Sequence, residues 1–295
     1  MGQYEALKED DIIGTEGGLR PGLNVSSKPS AGRLSALWIF LGLSAGLSWT
    51  VWLWPVPNRA VFLNVSGWRI AWPFVNIKLL VGNCLPGLLA LVWTCLKGKQ
   101  QLRGLLSSVF AWRVRVRWYI LAVALPCGVF LASLLWVLMR FPGKPILPPK
   151  LLLVTSLWSL PFGPVWEEIA WRAFALRRLE CRYSRLTSAC VIGVYWAVWH
   201  IPLWRLTLSY LTGELLLIAC MNLVAWSIIF SFLYDRSGQS LPITILLHGT
   251  YFTIQNLVFA TIPYSNIHLI PVAALLSVLV AATMAEQLRT DGSPC

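Results

Sequence analysis

LLLVTSLWSLPFGPVWEEIAWRAFALRRL, from Leu151 to Leu179, decides how the chain is read. The stretch is apolar over a length that crosses a bilayer, yet it places two adjacent carboxylates, Glu167 and Glu168, one turn ahead of Arg172. A charged side chain at the centre of a transmembrane helix costs roughly 2.5–3.5 kcal/mol on insertion scales, so this cluster requires a compensating role. Pro161 and Pro164, with Gly163 between them, are expected to break the helix just before the acids. Pro164 suits the first turn of a new helix, and Glu167 and Glu168 then lie near an N-terminus whose dipole favours negative charge.

The rest of the chain extends this membrane reading. Of its 295 residues 57% are hydrophobic and 12% charged, too few polar side chains to cover a soluble globule of that size. Runs of about 20 apolar residues match the ~30 Å of bilayer hydrocarbon. They predict an all-α membrane protein of about eight spans enclosing a polar cavity: 35–55, 71–96, 117–139, 151–176, 187–206, 212–234, 241–260 and 267–286. The domain plan is a disordered cytoplasmic tail over 1–34, one transmembrane domain over 35–286 with a motif-bearing core over 151–260, and a short tail over 287–295. The tail is polar and mixed in charge, unlike a secretory signal.

The net charge of +12 does not point to nucleic acid, because its distribution follows the membrane. Sixteen Lys and Arg fall in the N-terminal tail, the alternate loops at 97–117, 177–186 and 235–240, and the C-terminus, against six in the opposite loops. Both termini are therefore expected in the cytoplasm, with the plasma membrane of a bacterium as the expected location. Leu102 to Val116 mixes apolar residues with Arg103, Arg113 and Arg115, a pattern suited to an interfacial helix. The seven cysteines show no C-x-x-C spacing, and five fall inside spans, where small apolar packing is their expected use.

Glu168 and Arg172 are four apart and share a helix face, the spacing of an ion pair, whereas Glu167 points about 100° away. Glu168 is thus read as held neutralised and Glu167 as free to act, some 15 Å from the cytoplasmic helix end near Arg177. His200 and His248 fall at comparable depth in other spans, while His268 and Glu214 sit at outer edges. A carboxylate beside water serves as general base, a neighbouring His shares or orients the proton, and a second His or an amide can bind the oxyanion. Helix-to-helix glue is the structural alternative for the two acids. The same side chains could also bind zinc, but no H-E-x-x-H supports that, so no cofactor is expected and Zn²⁺ is the minor alternative.

Glu167-Glu168 with Arg172, Trp196 four residues before His200, and His248 in a later span resemble the CPBP (Abi) family. This is the membrane family of CAAX prenyl endopeptidases and bacteriocin-processing or bacteriocin-immunity proteins. The likeness runs over about 110 residues, from the fourth span to the seventh. It implies an intramembrane glutamate protease in which Glu167 is the base, His200 its partner and His248 an oxyanion donor, with Glu168 and Arg172 in support. Two departures stand out. The family usually has Phe where this chain has Trp196, and commonly has Asn where this chain has Phe252. Gln255 and Asn256 are the candidates to replace that amide.

The expected activity is hydrolysis of a peptide bond near the cytoplasmic face, on a peptide or lipidated protein, with the bilayer as partner and no nucleic acid. Two other readings fit the residues: a scaffold or immunity protein of the same family impaired by Phe252, and a proton-coupled transporter using the buried Glu and His.

Overall fold

The computed structural model describes residues 31–55, 62–65, 68–71, 77–141, 161–208, 211, 213–261 and 266–290. In chain order the elements are α1 (Ala31–Leu53), β1 (Phe62–Val65), β2 (Trp68–Ala71), α2 (Ile77–Leu96), α3 (Lys99–Val109) and α4 (Val116–Arg140). There follow α5 (Pro164–Glu168), a π-helix (Ile169–Leu176) and α6 (Arg177–Glu180), which join end to end, then α7 (Arg185–Thr207), α8 (Gly213–Arg236), α9 (Leu241–Thr261) and α10 (Asn266–Thr290).

Six helical segments among the described residues are long and apolar enough to cross a membrane: Ser35–Leu53, Lys78–Leu96, Val116–Arg140, Arg185–Thr207, Gly213–Arg236 and His268–Thr290. These match six of the eight expected spans. The other two are those that carry the polar residues. α9 has 21 residues, but Thr244, His248, Thr250, Thr253, Gln255 and Asn256 dilute its apolar character. The fourth span falls in part, 151–160, outside the described residues, and the remainder starts with the turn at 161–163. The protein is thus an all-α, multi-pass membrane protein with one small exception.

That exception is an antiparallel hairpin, β1 against β2, in the register Phe62↔Ala71, Leu63↔Ile70, Asn64↔Arg69 and Val65↔Trp68. The apolar run was expected to turn helical at 71, but Ala71 is engaged in this hairpin and α2 begins only at Ile77. Elsewhere the ends shift by a few residues: α1 starts at Ala31, not 35, and α10 continues to Thr290, past 286. Residues 1–30 of the expected tail lie outside the described residues. Of the stretch expected as an interfacial helix, the part up to Val109 is helical, in α3, and Arg113 and Arg115 fall on a non-helical link to α4.

The α5–π–α6 rod is the centre of the packing. α2, α7, α8 and α9 all touch it, and every residue of the π-helix is buried. Trp171, Trp196, Trp199, Trp226, Phe174 and Phe230 fill the surrounding core, with the charged Arg172 among them. Large apolar side chains such as Ile120, Leu217 and Leu275 face outward, as lipid contact requires.

Candidate active site

The acids are buried because of where α5 begins. Pro164 takes its first turn directly after Gly163, where the missing N–H is no loss, and the Glu167 amide donates to the Gly163 carbonyl at 2.9 Å. α2 presses on this turn. A Cβ at Gly87 would lie 2.5 Å from the Trp166 carbonyl oxygen, so only glycine permits that approach. One turn earlier on α2, Cys84 Sγ donates to the Phe162 carbonyl at 3.3 Å. Glu167 is left 4% exposed and Glu168 0%.

The two carboxylates have different partners. Glu167 Oε2 accepts a 2.7 Å hydrogen bond from Trp196 Nε1–H. Glu168 Oε2 lies 3.4 Å from Arg172 Nε, and its Oε1 lies 2.9 Å from His248 Nδ1. Arg172 is entirely buried, and its guanidinium centre sits 4.6 Å from the Phe230 ring and 5.2 Å from the Trp196 ring. Ring faces therefore stand in for the hydrogen bonds its N–H groups lack. Glu168 is the hub of an Arg172–Glu168–His248 chain, and the Glu167 charge is left outside it.

The histidines are oriented by their Nδ1 contacts. His200 Nδ1 lies 2.9 Å from the Trp196 carbonyl, which can only accept, so Nδ1 carries the hydrogen and the neutral ring offers Nε2 as acceptor. Trp199 at 4.8 Å, Trp204 at 5.3 Å and Trp196 at 5.6 Å surround that ring. His248, whose ring is 5.4 Å from Trp196, keeps Nε2 free of its contact with Glu168. As an imidazolium it donates through both nitrogens.

All five residues expected from the sequence thus converge, and Trp196 joins them. It touches Glu167, Arg172, His200 and His248. Glu167 and His200 share no direct hydrogen bond, but His200 is within electrostatic reach of Glu167 and His248. Phe252 is half-buried against the core, and Gln255 and Asn256, further along α9, make no hydrogen bond to a site residue. His268, stacked on Phe141 at 4.1 Å, and exposed Glu214 lie apart from the cluster. Among the described residues no three His, Cys, Asp or Glu side chains are arranged to hold a metal ion.

Three features went unread in the sequence. The π-helix leaves no compositional trace. The Glu168–His248 contact joins residues 80 apart in the chain. The indole donor of Trp196 is visible as a residue type, but its acceptor Glu167 lies 29 residues away in the chain.

The fold and cluster define a multi-pass membrane protein with buried acid, base and imidazole groups. Residues 148–254 match the family described as Type II CAAX prenyl endopeptidase Rce1-like, and this segment contains all three motifs. The resemblance drawn from those motifs is borne out there. The chain is also similar to CAAX prenyl protease 2 of Methanococcus maripaludis, with 35% identity over 57 residues. That alignment covers 19% of this chain and 21% of the relative, so the chain matches about a fifth of the relative's length.

Proposed function

We propose that the protein is a membrane-embedded endopeptidase in which Glu167 activates a water molecule to hydrolyse a peptide bond. The observation that carries this reading is the unequal treatment of the two acids. Glu168 is paired with Arg172 and in contact with His248, while Glu167 is fixed through one oxygen by Trp196 and keeps Oε1 out of that bond. A base needs a positioned carboxylate with a free lone pair, and Glu167 has it. His200, through Nε2, shares or orients the proton, and His248 donates Nε2–H to the developing oxyanion. Glu168 and Arg172 hold His248 in place. The chemistry requires no metal or cofactor.

The names of the similar proteins support a substrate whose C-terminal segment carries a prenylated cysteine. The basic loops, including Arg177 and Arg178 at the end of the rod, support cleavage near the cytoplasmic face, with both termini on that side. The test uses the full-length chain in detergent or nanodiscs and a quenched fluorescent peptide ending in a farnesylated Cys-a-a-X sequence. Glu167→Gln, His200→Ala and His248→Ala each lose turnover at unchanged protein amount, and a chelator leaves the native rate unaffected. Full turnover by Glu167→Gln would sink the reading. An inert native chain indicates the scaffold role instead, and pH-driven uptake into vesicles a transporter.

A further inference from the structure

The departure at Phe252 removes an amide from α9, and the structure brings another one in from a different helix. Asn83 lies on α2, in the segment that packs against the turn preceding Glu167. Where Gly163 lacks a side chain, the point a Cβ would occupy lies at ordinary contact distance from two atoms of the described residues. They are Glu167 Oε1 at 3.6 Å and Asn83 Nδ2 at 3.9 Å. One is the oxygen that Trp196 leaves unengaged, and the other is a pair of N–H donors. Among the described residues, buried Asn83 Oδ1 has no hydrogen-bond partner. An asparagine in an apolar helix with its buried amide oxygen unpaired costs free energy that packing alone does not explain.

We propose that Asn83 is a catalytic residue that supplies the oxyanion donor absent at Phe252; this rests on Glu167 acting as the base. A water at Glu167 Oε1 gives its proton to the carboxylate as its oxygen bonds to the scissile carbonyl carbon. The C=O π pair moves onto the carbonyl oxygen, and that oxyanion accepts a hydrogen bond from Asn83 Nδ2–H. Collapse restores the carbonyl, the C–N bond breaks, and the proton on Glu167 passes to the leaving nitrogen.

The test uses the farnesylated peptide probe with the full-length chain. Asn83→Ala and Asn83→Leu, the second keeping the volume, each lower kcat by about 10²–10³-fold with KM unchanged, the effect of losing one oxyanion donor. Adding Phe252→Asn to Asn83→Ala recovers part of that loss, which a purely structural asparagine would not allow. Gly163→Ala is independent of any defect at Asn83. Its methyl meets both atoms at ordinary contact distances and Gly163 has φ −112°, so the variant folds normally but loses turnover because the methyl occupies the position that touches both the base and the donor. Native kcat in either Asn83 variant, or in Gly163→Ala, overturns the proposal. If Glu167→Gln is inert while Asn83→Ala is fully active, only the role of Asn83 fails. If Glu167→Gln is active, or the native chain does not cleave the probe, the protease reading fails first and takes this proposal with it.

Discussion

Trp196 shows how a single indole organises the centre. Its N–H holds one oxygen of Glu167 while its ring faces Arg172, His200 and His248, so one side chain fixes the proposed base and sets it apart from the acid paired with Arg172. Hydrogen bonds to charged groups contribute about 1.5–3 kcal/mol. Trp196→Phe keeps an aromatic wall but removes the donor. It is expected to lower kcat about 10- to 100-fold with KM little changed, together with some loss of thermal stability from the smaller buried ring, as measured on the peptide probe and by melting in detergent. A loss confined to stability would assign Trp196 to packing alone. At this scale the sequence was informative where an interaction is local. Glu168 and Arg172 are one turn apart, and their pairing follows from helix geometry. Glu168–His248 and Glu167–Trp196 depend on how separate helices meet, which spacing along the chain does not encode.

At the scale of elements, Pro164 and the turn before it were legible because proline acts on its own neighbours. The π-helix was not, since an i→i+5 pattern is set by packing around it. Where that rod emerges, α6 carries Glu180, 2% exposed and beside Asp235, Arg185 and Arg177. Burial, reinforced by the Asp235 charge, pushes the Glu180 carboxyl up to about 8, although Arg185 and Arg177 oppose this. Arg185 is itself paired with Asp235 at 2.8 Å. The folded state therefore holds the Glu180 proton more tightly than the unfolded chain does. Its contribution to stability is full below the ordinary carboxylate range and is lost as pH rises toward and through about 8. Melting temperatures in detergent should fall from pH 5 to pH 9. Glu180→Gln, which cannot ionise, should flatten that slope and be relatively more stable at the alkaline end. An unchanged slope would place the pH dependence elsewhere.

For the whole molecule, two orderings coexist. The outward surface is apolar and the centre holds the charges, so the bilayer stabilises the exterior while Arg172, Glu167 and Glu168 depend on one another in the interior. Span number was readable because hydrocarbon thickness fixes helix length. The β1–β2 hairpin was not, because all of it but Ala71 lies between the expected spans ending at 55 and starting at 71, and only pairing distinguishes a hairpin from a loop. Orientation follows a separate physical rule, the retention of Lys and Arg on the cytoplasmic side. The four basic residues of the loop at 177–186 make the end of the rod the strongest such marker in the motif-bearing core. A single cysteine placed at Arg182, in a variant whose native cysteines are replaced by serine or alanine, should resist a membrane-impermeant maleimide applied to intact cells and react once the membrane is opened. A cysteine at Thr207, at the far end of α7, should show the opposite pattern. Labelling of Arg182→Cys in intact cells would invert the orientation and move the proposed cleavage to the opposite face. Such an inversion leaves the chemistry at Glu167 intact, because the geometry of Glu167, Trp196 and His200 does not depend on which aqueous phase α6 meets.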